Sequence, residues 1–162
     1  MTPLMQAMLI KQANAEGILH PAVNVVDKSK TPFTFIWEQM QILEGTKMLP
    51  EGMHKTAFDF FLAATPDELK PFMLKAFMVP ENYLCNIFTV KKDVFKLFGS
   101  IVFTALPEVI KAVGSRAEHL HPYWLAYLLE RYTSCFYHCL ELAGHKFLKV
   151  PLMTLDGTKH IE

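Results

Sequence analysis

Residues 122–142 read PYWLAYLLERYTSCFYHCLEL, and this stretch decides the fold. Its apolar residues Trp124, Leu125, Tyr127, Leu128, Leu129, Tyr132, Phe136 and Leu140 surround most of a helix's circumference. A helix that is apolar nearly all round has to be covered on most sides. The pattern therefore predicts a central helix that starts near Pro122 and is closed by Gly144, with the remaining elements packed around it.

Working back along the chain, Ser115–His121 reads as a loop. Before it, Val94, Phe95, Leu97, Phe98, Ile101, Val102, Ala105 and Leu106 recur at helical spacing, with Pro107 as an expected kink and Gly114 as the end. Tyr83–Val90 is β-branched and aromatic and predicts a strand running into the core. Thr65-Pro66-Asp67-Glu68 reads as an N-cap, a first-turn proline and two acids suited to the helix dipole, which predicts a helix over 66–78. A helix over 54–64 precedes it, after a proline- and glycine-containing loop at 48–53. Residues 32–43 carry Phe33, Ile36, Trp37, Met40 and Leu43 on one side and predict another helix, and 3–16 predicts a short amphipathic one. Ala22–Val26 reads as a short strand, and Phe147–Leu155 as a last one around Pro151. The sum is an α-rich α+β fold of about six helices with two or three short strands, in one domain spanning 1–162.

Composition narrows the function classes. The 162 residues are the size of one ordinary domain, and 51% of them are apolar, which excludes global disorder. Sixteen basic and sixteen acidic residues cancel, so no general field draws the chain to nucleic acid or to an anionic membrane. Thirteen Phe and nine Met make it oilier than most soluble monomers, and exposed apolar side chains of that kind call for a cover: an oligomer or a partner chain. Three cysteines and an N-terminus without signal-peptide order fit a reducing cytoplasm. The longest apolar run, Phe98–Ile110, is interrupted and shorter than the roughly twenty residues a membrane-spanning helix needs, so no transmembrane segment is expected.

Several residues invite chemistry. His119, His121, Cys135, His138 and Cys139 crowd together, yet Cys135 and Cys139 sit four apart in an apolar helix, as small core residues do, and the spacing is poor for zinc. A Cys135–His138 nucleophile pair lacks a third residue placed to orient the base. Glu130 and Arg131 lie in mid-helix among residues that want burial. An isolated buried charge costs several kcal/mol, so the pair either forms a structural ion pair or borders a polar site. Asn86, central in an apolar stretch, needs its amide satisfied by backbone or by a ligand. His54 and Asp59 are the remaining acid and base candidates, set against the bland reading of a solvated helix face. No Walker loop, dinucleotide glycine fingerprint, Gly-x-Ser-x-Gly elbow or His-Glu-x-x-His helix is present.

Two blocks carry a family resemblance. Asn86-Ile87-Phe88-Thr89-Val90-Lys91-Lys92-Asp93-Val94-Phe95 resembles the Asn-Met-Phe-Ile-Met-Lys-Lys-x-x-Phe block of a bacterial glycosyltransferase-like family catalogued as domain of unknown function 4422. Leu128-Leu129-Glu130-Arg131-Tyr132 with Phe136-Tyr137 resembles that family's Phe-Leu-x-Glu-Arg-Leu-Phe stretch, and His54 with Asp59 is a weaker third match. The likeness covers roughly residues 31–155, with 1–30 poorly matched. It implies the C-terminal, acceptor-side half of an A-type glycosyltransferase fold serving capsular or cell-surface polysaccharide synthesis. The implied reaction moves a sugar from a nucleotide sugar to a glycan acceptor, with a divalent cation (manganese or magnesium) at the diphosphate. Asp59 is then the expected general base with His54 beside it, and Asn86, Glu130 and Arg131 are expected to line or brace the acceptor side. The alternatives are a non-catalytic helical module that oligomerises or partners a transferase, and a small metal enzyme built on the His119–Cys139 cluster.

Overall fold

The computed structural model describes residues 36–46, 48–79 and 90–147. In chain order these form α1 (Ile36–Gly45), α2 (Met53–Ala64), α3 (Lys70–Ala76), α4 (Lys92–Val113), a 3-10 turn (Gly114–His119) and α5 (Trp124–Leu142). About three-quarters of the described residues are helical and none of them is in a strand.

This overturns the α+β expectation. The segments predicted as strands, 22–26, 83–90 and 147–155, lie outside the described residues except at Val90 and Phe147, and neither of those is extended in a sheet. The helix predicted over 3–16 also lies outside them. Among the described residues the apolar faces of the helices close on one another through side chains, with no sheet between them. The elements do not build the half of an A-type glycosyltransferase fold.

Two close helix pairs organise the core: α2 lies along α4, and α3 lies along α5, while α1 touches both α5 and α2. Each pair follows from apolar spacing. Met53, Ala57, Phe58 and Phe61 are the buried residues of α2, and Val94, Ile101, Val102, Ala105, Val109 and Val113 those of α4. Rings bridge the pairs. Phe61 of α2 stacks on Tyr132 of α5 with centroids 3.7 Å apart, and Phe98 of α4 meets Tyr132, Phe136 and Tyr137 at 6.1, 5.2 and 6.4 Å. The helix predicted to be central is central: every residue from Tyr132 to Leu140 is buried.

Local chemistry sets the boundaries. α3 is shorter than the predicted 66–78 because Thr65 does not cap it. The Thr65 hydroxyl donates backwards to the Phe61 carbonyl (2.7 Å), closing α2, and Pro66–Leu69 forms a turn in which the amides of Leu69 and Lys70 donate to the Pro66 carbonyl. α4 runs through Pro107, whose missing N–H leaves a gap in the ladder on an exposed face. It ends at Gly114, where φ of 55° favours glycine, and the Arg116 guanidinium donates to the Ala112 carbonyl at 2.7 Å and to Met53 Sδ at 3.6 Å. By length and composition alone the helical span 92–119 is long and apolar enough to cross a bilayer, although the sequence run Phe98–Ile110 reads as too short. It carries Glu108 and Lys111 within that span, and one of its faces is committed to α2.

Candidate functional site

The expected site residues fall into separate local pairings. His54 is at the second position of α2, after a glycine in the left-handed region (Gly52, φ 77°) that offers no side-chain cap. Glu44, from the end of α1, fills that role. Its Oε1 accepts the His54 backbone N–H at 2.7 Å and lies 2.6 Å from His54 Nδ1. Glu44 can reach because the amides of Met48 and Leu49 both donate to the Leu43 carbonyl, folding the chain back sharply after α1, with Leu49 buried beneath the turn. Burial pushes the Glu44 carboxyl up, but the backbone N–H groups of His54 and Gly52 together with the His54 ring outweigh it and hold it below its usual range. His54 is thus bound into a helix cap, and its Nδ1 faces a carboxylate rather than a substrate.

Asp59 lies on the outer face of α2, its side chain 53% exposed and paired with Lys55 one turn earlier. This is the solvated-face arrangement, and an exposed pair of this kind contributes little. Glu130 and Arg131 pair with each other, Arg131 Nη1 to Glu130 Oε2 at 3.0 Å, with both side chains only 17% exposed. Arg131 Nε is buried without a hydrogen bond. Asn86 lies outside the described residues. These contacts do not join Asp59 and His54 to Glu130 and Arg131, which were expected to line or brace the acceptor side.

The cysteines of α5 are core residues. Burial pushes the Cys135 thiol far up, the neighbouring Cys139 adds to this, and Arg131 only partly offsets it. Burial likewise raises Cys139 to about 12, and its thiol donates to the Leu69 carbonyl of the turn before α3 at 3.5 Å. Both are therefore neutral thiols at ordinary pH and poor nucleophiles. His138 does have an orienting carboxylate that the sequence reading missed: its Nδ1 lies 3.0 Å from Glu141 Oε2, one turn on. That pair orients a core imidazole, and Cys135, one turn earlier, is held as a buried thiol. His119 and His121 are exposed around the 3-10 turn, and among the described residues no three His, Cys, Asp or Glu side chains are grouped to hold a metal ion.

What the structure presents instead is a surface. Phe103 is 80% exposed and Ile110 47% exposed on α4, on the side away from its buried valines. Gly99, Phe103, Pro107 and Ile110 recur three and four residues apart and form one strip along the helix. The Phe103 ring leans back over Gly99, two of its carbons 3.7 and 3.8 Å from where a β-carbon on Gly99 would stand. The period was legible in the sequence, but the core set and the strip set interleave in one apolar run, so only packing separates them. No family model matches the chain, and neither a curated protein nor a solved structure does.

Proposed function

We propose that the chain is a non-catalytic helical module that acts by associating through the outer face of α4. The observation that carries this reading is Phe103, a large apolar side chain 80% exposed at the middle of a 22-residue helix whose opposite face is already buried. Leaving a ring of that size in water forgoes roughly 1.5–3 kcal/mol of burial free energy, which a bound partner recovers. The pairings of His54, Asp59 and Glu130 support the same reading, because each is engaged in a cap or an ion pair.

The transferase implied by the two sequence blocks makes a different prediction, and one experiment separates them. Calorimetric titration of the whole chain with nucleoside diphosphate sugars, with and without manganese, is expected to give no saturable heat. Saturable, metal-dependent heat would establish a donor site and overturn the association reading.

A further inference from the structure

We infer that the strip on α4 lies against an anionic lipid surface, with the Phe103 ring among the upper acyl chains and Lys92 and Lys96 at the headgroup phosphates. This rests on the association reading above and names its partner. The argument starts from what else shares the face of Phe103. At about 100° per residue, Lys92, Lys96, Gly99, Pro107 and Ile110 of α4 all fall within about 40° of Phe103 around the helix axis. No acid of the helix falls there. Asp93 and Lys111 both stand about 80° away on one side and cancel in the sum, and Glu108 stands about 140° round, on a flank. The face therefore holds an exposed apolar run with two lysines in line at one end, although the chain as a whole is neutral.

The fold makes no use of those two charges. Lys92 opens α4 at the positive end of the helix dipole, where an acid stabilises and a cation does not, and neither Lys92 nor Lys96 is in an ion pair among the described residues. Negative charge outside the molecule is their complement, and a long lysine stem can lie along apolar surface while its ammonium stays at the phosphates. The groups beside the strip favour lipid over protein. Ser100 donates to the Leu97 carbonyl and Thr104 to the Ser100 carbonyl, each at 2.8 Å, so both hydroxyls are satisfied within the helix and ask nothing of a cover. A ring exposed on most sides, as Phe103 is, needs a matching socket in a protein partner, whereas a fluid surface takes it without one. The helix lies along the surface rather than through it. Its opposite face is committed to α2, and Pro107 leaves the Phe103 carbonyl without its amide, a group that needs water or headgroups within reach.

Co-sedimentation of the full chain with vesicles is the test, phosphatidylcholine alone against phosphatidylcholine mixed with phosphatidylglycerol, with melting followed by circular dichroism for each variant. Saturable binding is expected on the mixed vesicles, falling as salt is raised, with little on phosphatidylcholine alone. Phe103→Ala should weaken it by about tenfold, and Lys92→Gln and Lys96→Gln by about fivefold each. None of the three should lower Tm, because each side chain is exposed in the folded chain. Equal binding to the two vesicle compositions, or binding indifferent to all three changes, would overturn this inference. Absence of binding to either composition would overturn it as well. Phe103-dependent self-association in sedimentation velocity would then leave the association reading standing with a second copy as partner, and a chain that stays monomeric at every concentration would remove that reading too.

Discussion

His54 shows how a residue that invites a chemical role can be spent on structure. Its backbone N–H and its ring both face one oxygen of Glu44, and the same carboxylate is held down by the Gly52 N–H. The consequence is a pH dependence with a definite sign. The folded Glu44 carboxyl lies below its ordinary value of 4.5. Its contribution is therefore complete above that value and is lost as pH falls through the lower, folded pKa. Glu44→Gln should cost about 1–2 kcal/mol near neutrality, the range of a lost helix cap. Urea unfolding at a series of pH values should also show a flatter acid limb for the variant than for the parent chain. An unchanged acid limb would mean that Glu44 is not the group that caps α2. The sequence could not show this pairing, because Glu44 and His54 meet only through the turn after α1. The structure shows why an outside acceptor is needed: Gly52, ahead of Met53, gives α2 no side-chain cap.

Elements were legible in proportion to how much of their pattern was local. α5 was read as central because its apolar residues leave almost no polar face, and that property survives any tertiary arrangement. α4 was read with its Gly114 end in place, and the helix continues through Pro107 because the interrupted rung faces solvent. α3 was read too long because Thr65 can bond backwards or forwards, and sequence does not choose between them. The strand expectations rest on β-branched and aromatic content, which measures fit to a half-buried surface, and their segments lie outside the described residues except at Val90 and Phe147. α4 also carries a testable excess of glycine. A β-carbon on Gly99 would meet only Phe103 ring carbons, at ordinary contact distance. Gly99→Ala should therefore raise helix stability by about 0.5–1 kcal/mol, the usual gain at a helix interior. A loss of stability in thermal unfolding would show that the backbone there needs the freedom of glycine.

At the scale of the molecule, the described core is held by rings joining two helix pairs. Phe61 is the ring of α2 that reaches Tyr132, itself buried, with its hydroxyl beside Thr65 and its ionisation strongly opposed by burial. Phe61→Ala should remove that bridge and cost about 3–5 kcal/mol in denaturant unfolding. That is a large part of the 5–15 kcal/mol typical of a domain. A cost near 1 kcal/mol would mean that α2 and α5 are coupled by something other than these rings. The bridge also fixes an order of events during synthesis. α5 is the last described helix to be translated, yet its run from Tyr132 to Leu140 is what the aromatic residues of α2 and α4 close upon. A nascent chain that has emerged only as far as Tyr123 carries Phe61 and Phe98 without their partners, and is a client for chaperones and proteases rather than a partly finished fold. A premature stop before α5 should thus deplete the protein from the cell instead of yielding a shortened, working product.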